Sequence, residues 1–342
     1  MFAHVTLAAS PPAKVLIRLD PDEQASEDGG MASMIRAAPR VAGMLIAWQA
    51  AFAAVAAPAV SSAPAPGFAE HQAQCAGKEG WSDPAPPVRI FGNVYDVGTC
   101  GITVLLVTGD KGAIVIDGAT AEAVPSIIAN IARLGLRPSA VKLLLASHEH
   151  LDHAGGLHEI RRRTGAKMVA LAAARDALES GVPSPDDPQR ASAAMAFRGV
   201  RVDRTVRDGE IVALGSLRLT AHATPGHAPG STSWSWRSCE HTTCQDIVYA
   251  DSVSAVSSDA YRFTEHPSYV AAFRASLARI AGLPCDLIVT PHPDASGLYE
   301  RLAGAAPLTS RSTCTTYSAA GRAKLDQRLA SEAGARPAVA RR

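Results

Sequence analysis

The sequence predicts a layered α/β fold in which β-sheets form the interior. Short strand-like apolar runs come in groups with helical stretches between them, which is typical of packed layers. The same order of elements occurs in both halves, and in each half a histidine-containing loop directly follows a strand. The chain has 342 residues, 47% of them hydrophobic, and is therefore long enough to bury the core of one large or two ordinary domains.

The first half of the predicted fold begins with β structure. Residues 88–97 have strand character, and ITVLLV at 102–107 and AIVI at 113–116 are predicted to form a hairpin across TGDKG. The apolar run VKLLLA at 141–146 predicts a buried strand that leads directly into SHEHLDHAGG. The other elements predicted for this half are a strand at 167–170 and helices at 121–134, 157–163 and 171–180.

The second half repeats this pattern. Two loops, TPGHAPGS and PHPDAS, each follow a predicted strand and each contain one histidine. The elements predicted here are strands at 210–214, 217–223, 232–237, 246–250 and 287–290 and helices at 268–280 and 318–332.

A secretory signal peptide is predicted at residues 34–56. Arg36 and Arg40 give its start a positive charge, residues 41–53 are uncharged and mostly apolar, and the small residues that end at Ala56 suit signal-peptidase cleavage. A single membrane anchor is the alternative, although the apolar run is short and lacks a basic C-terminal flank. Export predicts a periplasmic protein with no stable membrane association after cleavage.

The rest of the chain divides into a leader, a lead-in, one domain and a tail. Residues 1–33 are an upstream leader or follow a start codon assigned too early. Residues 57–74, rich in Pro, Ala and Ser, are predicted to be a disordered lead-in. The folded domain is predicted at residues 75–333, and residues 334–342 are predicted to be a disordered tail.

The charge balance excludes some classes of partner. The 33 Lys and Arg oppose 32 Asp and Glu, so the formal net charge is +1 and no basic stripe predicts binding to nucleic acid. No apolar run predicts a membrane protein with several spans. A monomer is the default expectation.

The six cysteines all follow the predicted cleavage site, and an even number in an exported chain favours disulfides. Six cysteines allow many pairings, so sequence alone leaves the connectivity open. Cys239 and Cys244 flank EHTT, and a disulfide between them would cross-link a local hairpin. Each of the other four cysteines is expected to pair with its neighbour in the sequence. The expected bonds are Cys75–Cys100, Cys239–Cys244 and Cys285–Cys314.

A cluster of metal-binding side chains occupies the loop after the strand at 141–146. The segment HEHLDH offers His148, His150, Asp152 and His153, and zinc accepts both imidazole nitrogen and carboxylate oxygen. Residues two apart after a strand can point the same way, so His148 and His150 can share one metal. Asp152 and His153 lie past the bend and can turn toward a second metal.

His227 and His292 can complete both sites. Each follows a predicted strand and lies next to or near a proline that restricts the backbone. Together with the cluster they give two sites of three ligands each, with room for a bridging hydroxide. Such a pair of zinc ions suits a hydrolase, because the metals lower the pKa of bound water toward about 7 and so supply hydroxide at neutral pH. No G-x-S-x-G motif indicates a competing serine nucleophile.

The motifs resemble those of the metallo-β-lactamase superfamily, whose signature is HxHxDH. SHEHLDHAGGL, TPGHAPGSTSWSW, VYADS and LPCDLIVTPHPDASGL look like subclass B3 metallo-β-lactamases, especially those of the Adelaide imipenemase type. The resemblance covers Cys75 to about Ala333. It implies a four-layer αββα sandwich, and the six cysteines resemble the three-disulfide pattern of that group.

The resemblance also implies roles for individual residues. Asp152 would act in catalysis with the zinc-bound hydroxide, and Ser252 and Ser254 would place the substrate carboxylate. Glu149 is interpreted as a carboxylate beside the site or in solvent, and Asp117 as a brace for the metal loop. The implied ligands are His148, His150 and His227 for the first Zn²⁺ and Asp152, His153 and His292 for the second.

The implied function is hydrolysis of β-lactam antibiotics, namely penicillins, cephalosporins and carbapenems, by attack of a zinc-bridging hydroxide. The first alternative is a lactonase or a thioesterase of the glyoxalase II kind, in which an aspartate bridges the metals after a late strand. Asp251 lies near that place in this sequence. The second alternative is a non-catalytic periplasmic zinc-binding protein.

Overall fold

The computed structural model describes residues 67–192 and 195–334, and the strands of this part form two sheets. The first sheet has antiparallel pairing among its early strands and parallel pairing from its fourth strand onward. In spatial order its strands are β1 (Val88–Phe91), β2 (Val94–Asp96), β3 (Leu105–Gly109), β4 (Gly112–Ile116), β5 (Val141–Leu145), β6 (Lys167–Leu171) and β7 (Arg204–Val206).

The second sheet is antiparallel except for its last pair of strands, which run parallel. Its spatial order is the reverse of its chain order: β12 (Leu287–Val289), β11 (Thr243–Tyr249), β10 (Thr232–Glu240), β9 (Leu217–Ala223) and β8 (Ile211–Leu214).

Helices cover the outer faces of both sheets. Short 3₁₀ turns precede several of them, as at Ala121–Ala123 and Pro293–Ser296. The helices are α1 (Phe68–Cys75), α2 (Val124–Arg133), α3 (Leu151–Ala154), α4 (Leu157–Thr164), α5 (Arg175–Ser180), α6 (Pro267–Ala281), α7 (Leu298–Leu302) and α8 (Thr313–Gly334).

Alternating side chains on the strands create three apolar layers. On β3, Leu105 and Val107 point between the sheets, whereas Leu106 packs toward the helices on the other face. On β11, Ile247 points between the sheets and Val248 packs against α6 and α8. Where both faces are buried, the strand sequence is a continuous run of apolar and aromatic residues, as in LLV at 105–107 and IVY at 247–249. The expected αββα sandwich is confirmed.

The predicted strand at 88–97 is instead a hairpin. Its strands β1 and β2 meet at Gly92, which has a φ of 54°. A Cβ at this position would lie 2.6 Å from the Ser238 hydroxyl oxygen, so the turn needs glycine for conformation and for space. The sequence analysis did not predict α3, α7 or β7, which are short elements with little periodicity to detect.

The N-terminal segment of the described chain is helical, whereas the sequence analysis predicted disorder there. Residues 68–74, assigned to the lead-in, belong to α1, so that assignment is wrong for this stretch. The reason is burial: Phe68 and His71 are only 1% and 2% exposed, and the His71 ring bonds the Pro86 carbonyl oxygen at 2.9 Å. The predicted signal peptide, the leader at 1–33, residues 57–66 of the lead-in and residues 335–342 of the predicted tail lie outside the described residues. The first residue of the predicted tail, Gly334, is the last residue of α8.

The cysteines form the three bonds that proximity predicts: Cys75–Cys100, Cys239–Cys244 and Cys285–Cys314. The second joins cross-strand partners of the β10–β11 hairpin. The first attaches α1 to the loop after β2, and the third attaches α8 to the segment before β12. Among the described residues, no helix is both long and apolar enough to cross a bilayer.

The Cys285–Cys314 bond should stabilise the fold more than the hairpin bond. We expect the double variant Cys285→Ser/Cys314→Ser to lose about 3–4 kcal/mol of unfolding free energy, because the bond closes a longer loop in the unfolded chain. The control, Cys239→Ser/Cys244→Ser, opens a loop of only five residues and should lose about 2 kcal/mol. Urea unfolding measures both, and equal losses would contradict the loop-length argument.

Candidate metal centre

The functional side chains converge at one edge of the sandwich, where several strands end. His148, His150, Asp152 and His153 follow β5, and the loop after β9 carries His227. The loop after β12 carries His292, which is the N-terminal flanking residue of a 3₁₀ turn. Since β5, β9 and β12 all end at this edge, the loops that carry the histidines meet there.

The first group of ligand atoms comes from His148, His150 and His227. His150 Nδ1 lies 3.2 Å from His227 Nε2, and one ligand atom of each of the three residues lies within 4.8 Å of the others. All three side chains are buried. His148 Nε2 has no hydrogen-bond partner within the described part of the chain, although it is buried. A buried, unpartnered ring nitrogen that faces two others fits a bound cation.

Hydrogen bonds at the remote ring nitrogens fix which nitrogen of each histidine faces this group. His148 Nδ1 donates to Asp251 Oδ1 at 2.8 Å, and His150 Nε2 donates to Asp187 Oδ2 at 2.8 Å. His227 Nδ1 donates to the Ser254 carbonyl oxygen at 3.0 Å. Each remote nitrogen therefore carries the proton, and the lone pair of the other nitrogen is available to a metal.

The second group is a triangle formed by Asp152, His153 and His292. Asp152 Oδ2 lies 3.1 Å from His153 Nε2 and 3.3 Å from His292 Nε2, and those two nitrogens are 3.3 Å apart. Zinc bonds of 2.0–2.2 Å at tetrahedral angles separate ligand atoms by about 3.3 Å. The triangle therefore has the size of one face of a tetrahedral site.

The two groups adjoin each other through His148. Its ring centroid lies 4.3 Å from that of His153, and one of its nitrogens also lies within 4.8 Å of ligand atoms of Asp152 and His153. Adjacent donor groups of this kind suit a pair of metals with a shared ligand between them. The donor chemistry and the spacing both fit a metal site.

The charges of the second triangle also favour a cation. Burial lowers the pKa of His153, but the surrounding carboxylates, Asp152 foremost and then Asp117 and Asp251, together raise it to about 9. Burial raises the pKa of Asp152, but the neighbouring histidines, His153 foremost, together hold it well below its usual value. A divalent cation bound here would take the place of a proton on His153.

Two histidines of the first group are electrostatically different, whereas Asp187 raises the pKa of the third, His150, against the effect of burial. Burial, and then the neighbouring His148, lower the pKa of His227 to about 3. Burial, followed by the charge of His153, also lowers the pKa of His148. These two imidazoles are therefore neutral at physiological pH, as metal ligation requires.

Asp117 braces the loop that follows β5, as predicted. Its Oδ1 accepts the Ser147 backbone N–H at 2.6 Å, and its Oδ2 accepts the hydroxyls of Ser147 and Tyr249, each at 2.7 Å. His153 Nδ1 lies 3.7 Å from the same Oδ2. Asp117 has a φ of 67°, an unfavourable backbone conformation that these contacts offset.

Glu149 is not in solvent, so that part of its interpretation is wrong. Its side chain is fully buried, and Oε1 accepts the Gly230 backbone N–H at 2.8 Å. Burial raises the pKa of Glu149 to about 7. Gly230 lies three residues after His227, so Glu149 connects the loop after β5 to the loop that carries the distant histidine.

The two serines expected at the substrate site differ in their contacts. Ser252 lines a cavity beside His292. Ser254 also lines that cavity, but its hydroxyl oxygen lies 3.0 Å from His227 Nδ1, and its carbonyl accepts from the same nitrogen. Ser254 therefore supports a histidine of the first group, a role that its sequence position did not reveal.

The sequence analysis missed Asp187 and Gln189. Both belong to the loop after α5, and the Gln189 amide nitrogen lies 3.5 Å from His227 Nε2. Their only signal is the pair of aspartates in SPDDPQR, a stretch without periodicity or a metal-ligand spacing. Tyr249 was also missed, because a tyrosine that ends an apolar strand usually indicates core packing.

Asp251 lies on the side of His148 that faces away from the other ligand atoms of the first group. Its Oδ1 accepts from His148 Nδ1, the nitrogen on the side of the ring away from the other ligand atoms. Neither group of potential metal-binding residues includes Asp251. The aspartate that would bridge the metals in a glyoxalase II-like site thus holds a histidine instead.

Comparison with known proteins identifies the family. The sequence model of the metallo-beta-lactamase superfamily matches residues 97–292, more than half of the chain. The chain belongs to this superfamily. It is therefore a metal-dependent hydrolase, a conclusion that its similarity to solved metallo-β-lactamase structures also supports.

Several solved metallo-β-lactamases resemble the chain over almost their whole length. MIM-1 from Novosphingobium pentaromativorans is 49% identical, with a TM-score of 0.75, covering 78% of this chain and 98% of that one. BJP-1, a subclass B3 enzyme of Bradyrhizobium japonicum, is 32% identical, with a TM-score of 0.70, covering 76% and 99%. MEM-A1, a subclass B3 enzyme from a soil metagenome library, is 38% identical, with a TM-score of 0.69, covering 75% and 99%.

Curated relatives with other activities match a smaller region. A hydroxyacylglutathione hydrolase of Methylobacterium sp. (strain 4-46) is 33% identical over 137 residues, which is 39% of this chain and 46% of that protein. The acyl-coenzyme A thioesterase MBLAC2 of Homo sapiens is 32% identical over 119 residues, covering 32% of this chain and 40% of that protein. The chain thus spans less than half the length of each of these relatives.

Asp187 should contribute to metal affinity. We expect Asp187→Asn to weaken metal binding about 10-fold or more, because the carboxylate accepts from both His150 Nε2 and the Gln189 backbone N–H. An amide offers only one acceptor oxygen to these two donors. Competition with a chromophoric chelator measures the affinity.

The matched control for this prediction is Asp186→Asn, which changes the exposed neighbouring aspartate. It should leave the metal affinity unchanged. Equal affinities for the two variants would show that the contact between Asp187 and His150 does not support metal binding.

Proposed function

We propose that the protein is an exported zinc hydrolase that opens the β-lactam ring of penicillins, cephalosporins and carbapenems and thereby confers antibiotic resistance. The observation that carries this proposal is the pair of adjoining donor groups at the sheet edge. The similarity to solved metallo-β-lactamases over nearly their full length supports it.

The proposed ligands follow from which atoms face each other. His148 Nε2, His150 Nδ1 and His227 Nε2 would hold the first Zn²⁺, and Asp152, His153 and His292 the second. Bound zinc supplies an activated water at neutral pH and a Lewis acid for the amide carbonyl. The remaining steps depend on the side chains around the ions.

Asp152 is the proposed catalytic side chain of the protein. Its low pKa keeps it ionised, and its side chain remains 9% exposed beside the half-buried His292. It can therefore accept a hydrogen bond from the attacking water and orient it toward the substrate. Ser252, which lines the adjoining cavity, is proposed to contact the substrate carboxylate.

Hydrolysis of a thioester or a lactone is the second candidate function. The matching regions of the hydroxyacylglutathione hydrolase and of the acyl-coenzyme A thioesterase favour it. The position of Asp251 behind His148 argues against a site with a bridging aspartate. S-lactoylglutathione and a homoserine lactone should therefore be much poorer substrates than nitrocefin.

Metal removal tests the proposal directly. Zinc-loaded enzyme should hydrolyse nitrocefin and a carbapenem, EDTA should abolish both activities, and added Zn²⁺ should restore them, because the donor groups hold the activating ions. Clavulanate should have no effect, since it acts on serine enzymes. Carbapenem hydrolysis by fully metal-free protein would contradict the mechanism, and turnover of the thioester alone would favour the second candidate.

Export to the periplasm is also proposed, with cleavage near Ala56 and a monomeric mature enzyme. The three disulfides support an oxidising compartment. We expect the full chain, expressed in a Gram-negative host, to appear in the periplasmic fraction with an N-terminus close to residue 57. Arg36→Glu/Arg40→Glu should retain the precursor in the cytoplasm, because it removes the positive start of the signal. Uncleaved protein in the membrane fraction would instead indicate the anchor.

A further inference from the structure

A cavity of about 220 Å³ lies between the second triangle and helix α8. Its walls include His292, Ser252 and Ser254 on the side of the candidate metal centre, and Tyr317 and Lys324 on the side of the helix. Because His292 belongs to both the triangle and the wall, the cavity is continuous with the place where the substrate amide is proposed to bind.

Tight packing fixes the helix against this cavity. A Cβ at Gly321 would lie 2.7 Å from a methyl group of Val253, so the backbone of α8 contacts the loop that carries Ser252 and Ser254. The Tyr317 hydroxyl donates to the Asp251 carbonyl oxygen at 3.0 Å. Lys324 lies three residues after Gly321 and seven after Tyr317, on the same face of α8.

Among the described residues that line this cavity, Lys324 and the imidazole of His292 are the side chains that can carry a positive charge. The charged side chains that follow Lys324 on α8 are paired: Asp326 pairs with Arg274, and Arg328 pairs with Glu332. Lys324 makes no ion pair with any part of the chain that the structure describes. Its ammonium group is therefore available to an anion that enters the cavity.

A second cavity, next to Gln189, whose amide lies 3.5 Å from His227 Nε2, has different chemistry. Its volume is about 460 Å³, and its described lining contains serine hydroxyls and Asp259 but no cationic side chain. An anionic group of the substrate is thus favoured at the Lys324 end and disfavoured at the Asp259 end. This asymmetry would give the substrate one orientation across the metal centre.

We propose that Lys324 binds the carboxylate of the substrate and, with Ser252, determines the orientation of the β-lactam in the site. This inference rests on the proposed function. The carboxylate of a β-lactam lies on the carbon next to the ring nitrogen. When the amide lies over the two donor groups, the carboxylate can reach the cavity that Ser252 and Lys324 line.

The test compares Lys324→Ala with wild type on zinc-loaded enzyme, using nitrocefin and its methyl ester, which lacks the carboxylate. For nitrocefin we expect the KM of the variant to rise roughly two- to fivefold, as for loss of an exposed ion pair, with kcat changed by less than about twofold. For the ester the same substitution should leave KM unchanged. Lys324→Arg should restore the KM for nitrocefin.

The matched control is Arg322→Ala, which removes an exposed charge from the same helix outside the cavity lining. It should behave like wild type with both substrates. An unchanged KM for nitrocefin in Lys324→Ala, an equal effect on the ester, or an equal effect of Arg322→Ala would overturn the proposal. If zinc-loaded wild type turns over no β-lactam, both the proposed function and this inference fail. If wild type is active, the Lys324→Ala measurements test this inference alone.

Discussion

The candidate site depends on the attachment of the carboxyl end of β5 to the second sheet. The Thr232 backbone N–H donates to the Ser147 carbonyl oxygen at 2.7 Å, and the Trp234 indole N–H donates to the Ala146 carbonyl oxygen at 2.9 Å. All four residues are buried. These bonds hold the start of the histidine segment against β10, and through it against the loops of His227 and His292.

Three buried carboxylates contact the imidazoles and hold them in place. Asp117, Asp187 and Asp251 come from three distant segments, and each lies against a histidine of the candidate centre. A buried carboxylate without a partner is costly, so each histidine also stabilises its aspartate. Folding and metal binding are therefore coupled, because the same hydrogen bonds satisfy the aspartates and select the ring nitrogen that faces the metal.

The same scaffold serves hydrolases with different substrates, and the side chains around the donor groups distinguish them. Asp251 is turned toward His148, and the next residue in the chain, Ser252, faces a cavity that ends at α8. A lysine lines this cavity, whereas an aspartate lines the cavity next to Gln189. In the proposed function, the loop after β11 and the distant helix that packs against it would therefore govern substrate choice.

The sequence by itself determined the layered α/β class, the pairing of nearby cysteines and the set of six donor residues. Strand periodicity and the HEHLDH cluster can each be read within a few residues, and the loops of His227 and His292 carry short motifs of their own. Each cysteine pairs with a neighbouring cysteine in the chain. Only the tertiary structure decided that Asp187 holds His150, that Glu149 is buried against Gly230, that Ser254 supports His227 and that Lys324 reaches the cavity. These contacts join segments between 27 and 81 residues apart, or a distant helix to a loop, and no local pattern encodes them, because the packing of the two sheets brings the segments together.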